Sequence, residues 1–377
     1  MTRVLLLIPT LDRSGAEKQL TLLATGLSRD FPDEFEVDVA CLTRGGPYQA
    51  ELEAAGVSVT VLGKRFRFDP FALRRLKKLI QEKRPDILHT WLFAANSYGR
   101  LVAGKQGSPG PKVIVSERCV DTWKASWQLW LDRKQIPRTE RLIGNSQAVV
   151  DFYRKLGVPD EKLLVFRNGI ELPTDLSDES LLKLREEFGI AESSKIIGFV
   201  GRLAPQKRLK DLLWSFELVC SHDLDVHFVI TGDGPQRSEL ERFAKQIRVH
   251  DRVTFTGHRD DAASIVAMCD LFWLASDFEG QSNSLMEAMA SARPVIVSDI
   301  APNRELVSHE ETGLVVPVTD RAEFAKAAVR LLGDEPLAAR LGVAAQEQMA
   351  NEFSVRQMIE SHAELYRTVA GAETKNK

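Results

Sequence analysis

Leu271-Phe-Trp-Leu-Ala-Ser-Asp-Phe-Glu-Gly-Gln-Ser-Asn-Ser-Leu-Met-Glu-Ala-Met-Ala290 shows how the chain is built. Leu271–Leu274 is an apolar run of strand length, and a polar loop follows it. Ser282 or Asn283 can then cap a helix that carries Leu285, Met286 and Met289 on one side. The same strand–loop–helix unit recurs in both directions. Lys195–Val200, Val226–Thr231, Val253–Thr256, Pro294–Val297 and Gly313–Pro317 read as further strands of the second half. Arg3–Ile8, Glu36–Leu42, Ser58–Leu62, Ile87–Thr90, Lys112–Val115, Arg141–Asn145 and Leu163–Asn168 read as strands of the first. Helical spacing fits between them. Ser14 opens a capping box with Glu17 ahead of Leu20, Leu23, Ala24 and Leu27, and Pro70–Glu82 and Trp123–Arg133 are further helices. Strands alternating with amphipathic helices predict an α/β protein with parallel sheets.

A chain of 377 residues exceeds one ordinary core; Gly169 to Ser180 is polar and turn-rich, and the break between two domains is expected near Gly169–Pro173. Apolar residues at 44% and charged residues at 27% exclude disorder and collagen-like repetition. Apart from the tail Glu373–Lys377 there is no low-complexity tract. The longest apolar runs, Val4–Pro9 and Leu314–Val318, are too short to span a membrane. Arg3 is followed by only five apolar residues, so no signal peptide is expected. Four scattered cysteines without CxxC spacing argue against disulfides and structural zinc, and a cytoplasmic location is expected. The net charge of -3 is unevenly spread. Residues 1–172 hold 27 basic against 20 acidic side chains, the remainder 23 against 33. Two domains with different partners fit that asymmetry, as do two unequally solvated faces. Nothing in the pattern points to nucleic acid.

Four loops at strand ends could carry chemistry. Gly15 begins a helix where backbone N–H groups and the helix dipole favour an anion. Gly201-Arg-Leu-Ala-Pro-Gln-Lys207 places Arg202 and Lys207 five residues apart, where they either straddle a diphosphate or are solvated charges like Arg208 and Lys210. Thr231-Gly-Asp-Gly-Pro235 offers Gly232 and Gly234 for close backbone approach to a ligand. In Ser276–Ala290, Glu279 lies ahead of the helix and Glu287 just over one turn inside it, with the N–H groups of Ser284 and Leu285 between them. Two carboxylates beside an anion seat suit a ligand with hydroxyls on both sides of a diphosphate, which describes a nucleotide sugar. The plainer alternative makes both of them ordinary first-turn acids.

With GRLAPQK upstream and TGDGP between, the E-x7-E of EGQSNSLMEAMA resembles the retaining, nucleotide-sugar-dependent glycosyltransferases of family 4 (group 1). PDILHTWLFAANSYGRLVA (85–103), NSQAV (145–149), RNGI (167–170) and NRELVSHEETGLVVP (303–317) extend the resemblance over nearly the whole chain. It implies the GT-B fold, two doubly wound Rossmann-like domains facing each other across a cleft. The acceptor-side domain would be 1–170 plus 354–377, closed by a returning helix over Phe353–Val369, and the donor domain 171–353. Glu279 would meet hydroxyls of the transferred hexose, Glu287 those of the ribose, and Arg202 with Lys207 the diphosphate. Gly201, Gly232, Gly234, Gly280, Gln281, Ser282, Asn283, Ser284 and Leu285 would line the donor, and the Gly15 loop would close on it. The nucleotide diphosphate sugar is a co-substrate; no cofactor and no metal are implied.

Two departures from the family pattern stand out. Gln281 occupies a position where relatives usually carry an aromatic or aliphatic residue. Val115-Ser-Glu-Arg-Cys119 lacks the histidine many relatives have there, leaving Arg118 and His89 as acceptor-side candidates. The alternatives are a nucleotide-sugar epimerase of related fold and a non-catalytic sugar-nucleotide-binding subunit. The acceptor is expected to be a glycan or a lipid-linked diphosphate. Lys64–Lys78 mixes cations with phenylalanines, and Trp123, Trp127 and Trp130 form a stripe. Both suit peripheral contact with an anionic membrane at its cytoplasmic face, whereas tryptophans packed into the core would be purely structural.

Overall fold

The computed structural model describes residues 1–104, 110–173, 177–222 and 224–371. The tail Glu373–Lys377 and linker residues 174–176 lie outside that description. The chain divides into two compact units, Met1–Gly169 with the segment from Val355 on, and Ile170–Ser354.

In the first unit the strands are β1 (Thr2–Ile8), β2 (Phe35–Cys41), β3 (Ser58–Val61), β4 (Ile87–Trp91), β5 (Lys112–Glu117), β6 (Arg141–Gly144) and β7 (Leu163–Val165). Among the described residues they form one sheet in the order β3-β2-β1-β4-β5-β6-β7, with every pair parallel. The second unit contains β8 (Lys195–Val200), β9 (Val226–Thr231), β10 (Val253–Gly257), β11 (Leu271–Leu274), β12 (Val295–Ser298) and β13 (Leu314–Val316), in the order β10-β9-β8-β11-β12-β13. Both orders are doubly wound, reversing between β1 and β4 and between β8 and β11. Central strands are covered on both faces. Along β1, Val4, Leu6 and Ile8 join one core cluster while Leu5 and Leu7 join another.

Local sequence explains several helix starts. Asp69 accepts from Phe71 N (2.9 Å) and Ala72 N (3.1 Å), and Pro70 follows it, so the helix Pro70–Lys83 begins there. Ser146 does the same for Gln147–Leu156 through Val149 N. Two expectations need correction. The Ser14 hydroxyl does not cap the helix Gly15–Asp30; it donates to the Glu17 carboxylate, which a second hydroxyl, Thr10 Oγ1, also reaches at 3.2 Å. The tryptophan helix begins at Ser126 rather than Trp123, and Trp123, Trp127 and Trp130 are exposed rather than packed into the core.

The helix Val355–Gly371 packs on the helix Gly15–Asp30 and on β1 and β4. Gly26 permits the close crossing, since a Cβ there would lie 2.1 Å from Ile359 Cδ1. Gln19 clamps Gly169, the last residue of the unit's first segment, with two hydrogen bonds of 2.8 Å, its Nε2 donating to Gly169 O and its Oε1 accepting from Gly169 N. His89, on β4, is fully buried. Its Nδ1 pairs with Tyr366 Oη (2.6 Å) and its Nε2 with Ser116 Oγ (2.8 Å). Burial, with His362 and Arg118 nearby, holds its pKa well below the usual histidine value. With both nitrogens committed inside the core, His89 offers nothing to an acceptor and is a structural residue.

Tyr366→Phe should strand His89 Nδ1 in the core and cost the first unit about 1–3 kcal/mol. Calorimetry should show the first unit's transition lowered and the second unit's unchanged. Equal shifts in both would contradict this packing.

Candidate active site

In the second unit, the loops that leave β8 and β11 part at the point where strand order reverses. The β8 loop is held from one side by the chain itself. Leu203 N donates to Asp233 O (2.9 Å) and Gln236 N to Leu203 O (3.0 Å). Gly232 has φ +128, and a Cβ on it would stand 2.0 Å from Gly201 O; one on Gly234 would stand 2.4 Å from Leu203 O. The close approach these glycines allow is therefore to the backbone of Gly201–Leu203.

On its other side the same loop is tied to the one after β11. Gln206 Nε2 donates to Phe278 O (2.6 Å), and Asp277 N donates to Gln206 O (2.9 Å). Arg208 bridges Asp277 (2.8 Å) and Asp211 (2.5 Å) from a left-handed backbone, φ +51. Asp211 also receives Arg321 Nε at 2.6 Å. Arg208 is therefore an inter-loop brace, not a solvated charge. Neither it nor Gln206 was singled out from sequence, because the partners that tie the two loops lie about 70 residues away (|i−j| 69 and 72).

That bracing brings two of the expected site residues together. Lys207 Nζ donates to Glu279 Oε1, with only 13% and 10% of the two side chains exposed. Arg202 is exposed and, among the described residues, has no ion-pair partner. Gly280, Gln281 and Ser282 are buried beside Glu279, and the helix Asn283–Ala290 follows. Ser282 sits at the cap position, but its hydroxyl pairs with Ser284 Oγ (3.2 Å) and does not cap the backbone. The first bond running back along this helix is Met286 N to Ser282 O, so Ser284 and Leu285 precede the hydrogen-bonded ladder. Leu285 is itself in the core and presents only backbone, while Glu287, one turn in, is partly exposed. A cation, a carboxylate and a helix start thus share one end of the sheet.

In the first unit Gly15 begins its helix beside the buried Glu17, whose pKa is raised chiefly by burial. Arg118 follows β5 directly. Its guanidinium lies 4.5 Å from the Trp91 ring centroid and donates to Asn168 Oδ1 (2.5 Å). Burial lowers it to about 9, which leaves it cationic at neutral pH.

The preceding residue, Glu117, belongs to a buried ion network that sequence reasoning missed. Lys124 Nζ meets Asp121 (2.8 Å), Asp132 (3.0 Å), Glu117 (3.6 Å) and Tyr153 Oη (2.7 Å), while Arg100 meets Asp132 (2.6 Å). Three carboxylates face two cations, and burial pushes Glu117 up to about 7 despite Lys124. Among the described residues, no three His, Cys, Asp or Glu side chains are placed to share a metal ion.

The family described as "Glycosyl transferases group 1" matches residues 194–334, and "Glycosyltransferase Family 4" matches residues 13–173. The chain is similar to the N-acetyl-alpha-D-glucosaminyl L-malate synthase of Bacillus anthracis, 24% identical over 318 residues and 83% of each protein. It is 28% identical over 307 residues to the UDP-Gal:alpha-D-GlcNAc-diphosphoundecaprenol alpha-1,3-galactosyltransferase of Escherichia coli, 79% of each. Among solved structures, HepE of Anabaena in complex with UDP-glucose superposes with a TM-score of 0.87 at 22% identity, covering 98% of this chain and 100% of that one. That likeness shows a shared fold, two Rossmann-like α/β units of the GT-B class.

Glu117 keeps a proton to about pH 7 in the folded chain, against an ordinary 4.5, so the folded state binds more protons than the unfolded one. Stability of the first unit should therefore fall as pH rises from about 4.5 to about 7 and then level off. Glu117→Gln should flatten that slope in pH-dependent melts; an unchanged slope would mean that another group holds the proton.

Proposed function

The chain belongs to the group 1, family 4 glycosyltransferases, and from that premise we propose that it transfers a hexose-type sugar from a nucleotide diphosphate sugar to an acceptor hydroxyl, with retention of configuration and without a metal ion. The observation that carries this reading is the Lys207–Glu279 pair beside the start of the helix Asn283–Ala290. A donor presents sugar hydroxyls next to a diphosphate. Glu279 can accept from the former while Lys207 turns to the latter, so the bound donor takes over both halves of an existing ion pair. As the anomeric bond breaks, charge grows on the departing diphosphate. Lys207, the exposed Arg202 and the N–H groups of Ser284 and Leu285 are fixed positive groups that stabilise this charge more in the transition state than in the ground state. Glu287 takes the ribose hydroxyls.

The second unit is the donor domain in this reading, and the first serves the acceptor. The Escherichia coli relative acts on a diphosphoundecaprenol-linked sugar. A lipid-linked or glycan acceptor of that kind suits the basic balance of residues 1–172. Peripheral contact with an anionic membrane at its cytoplasmic face fits as well; among the described residues no helix is long and apolar enough to cross one. Neither the epimerase nor the non-catalytic alternative is favoured by the relatives.

Glu279→Ala and Glu287→Ala should each lower activity roughly ten- to a hundredfold, the loss of one charge-assisted hydrogen bond to a hydroxyl. A panel of labelled nucleotide sugars measures this, and wild-type turnover in both variants would remove the donor assignment. In the same assay turnover should persist in EDTA. Loss in chelator with recovery on adding Mg²⁺ or Mn²⁺ would show that a metal, not Arg202 and Lys207, neutralises the diphosphate.

A further inference from the structure

One face of the first unit displays aromatic rings that its own core does not bury. Phe66, Phe68 and Phe71 are the exposed phenylalanines among the described residues, and with Trp123, Trp127 and Trp130 their exposure runs from 46% to 68%. The two segments meet in space. Arg67 Cζ lies 4.7 Å from the Trp127 ring centroid, and Phe93 meets that ring edge-on at 5.9 Å. Phe68 and Lys64 both approach Tyr98, at 6.5 and 5.7 Å.

Both segments stand on rigid supports. Asp69, 2% exposed, accepts from the N–H groups of Arg65, Phe71 and Ala72, and its own N–H donates to Tyr98 Oη at 2.6 Å. Beneath the tryptophans, Lys124 binds Asp121 in the preceding loop and Asp132 in the helix. Rings held out by such networks cannot collapse onto the protein, and a patch of this kind marks a contact surface.

Charge identifies what covers it. Residues 64–78 carry seven cations and one acid, Asp69, which is buried. Two of the cations are engaged, Arg75 by Leu62 O, Gly63 O and Asp69, and Lys78 by Glu82. Among the described residues Lys64, Arg65, Arg74 and Lys77 have no acidic partner. Cations bordering apolar rings match a surface with anionic headgroups over an apolar layer.

We propose that this face is the docking surface for an anionic lipid bilayer, with the phenylalanines and tryptophans entering the interface and Lys64, Arg65, Arg74 and Lys77 meeting headgroups. The proposal deepens the membrane contact suggested above, and rests on it, by assigning its residues.

Co-sedimentation of the full chain with phosphatidylcholine vesicles, with and without phosphatidylglycerol, tests it. The wild type should bind only the anionic vesicles, and its tryptophan emission should shift to the blue. Phe66→Ser/Phe68→Ser/Phe71→Ser and Lys64→Glu/Arg74→Glu/Lys77→Glu should each weaken binding by roughly tenfold or more. Both variants should melt like the wild type and turn over labelled nucleotide sugar at its rate. Failure of the wild type to sediment, or variants that sediment equally well, would overturn the proposal. So would binding to neutral vesicles only when they contain a polyprenyl diphosphate, which would make the face an acceptor site. Donor turnover is read separately, so docking can fail while the transferase reading stands.

Discussion

Every strand pair in both sheets is parallel, so each strand is reached by a crossover and all loops that follow strands emerge at one end of their sheet. Helices on both faces bury the central strands from two sides, as β1 shows. Because strand order reverses once in each sheet, the β8 and β11 loops diverge. The Gly201–Lys207 loop then has to be braced by its neighbours: by Gly232 and Gly234 on one side, by Gln206 and Arg208 on the other. The placement of Lys207 against Glu279 follows from those braces.

The two units handle buried charge differently, and the contrast separates site from scaffold. Around Lys124 the partners are protein groups on every side: a loop acid, a helix acid, a strand-end carboxylate and a tyrosine hydroxyl. Removing Lys124 would leave its carboxylates uncompensated in the core. Lys207 and Glu279 form a simpler pair that retains some exposure, next to the exposed Arg202. Such a pair could exchange partners with a nucleotide sugar at lower cost, since that ligand would supply both a hydroxyl and a phosphate to replace them. His89 and Tyr366 belong with the scaffold, joining β4 to the last helix.

The first unit's surface adds a constraint of its own. Asp69 and Lys124 both spend buried charge on loops whose visible product is exposed aromatic rings. Structure that ordered beneath an apolar surface is difficult to attribute to the fold alone, which would be served equally well by polar residues at Phe66, Phe68 and Phe71.

Sequence alone determined the alternation of strands and helices, because period and turn chemistry are local properties of the chain. The helix opening at Pro70 was legible for that reason. The candidate site residues could be picked out too, since Arg202, Lys207, Glu279 and Glu287 cluster in two short motifs at strand ends. Tertiary structure decided what depends on distant partners. Ser14 turned from a cap into a donor to Glu17, which a second hydroxyl, from Thr10, also reaches. Gly232 and Gly234 proved to face the chain's own backbone, His89 proved to be core, and Arg208 proved to be a brace. A short-range pattern records propensity and polarity, but burial and pairing are set by which residues the sheet order brings together, and that order is a property of the folded whole.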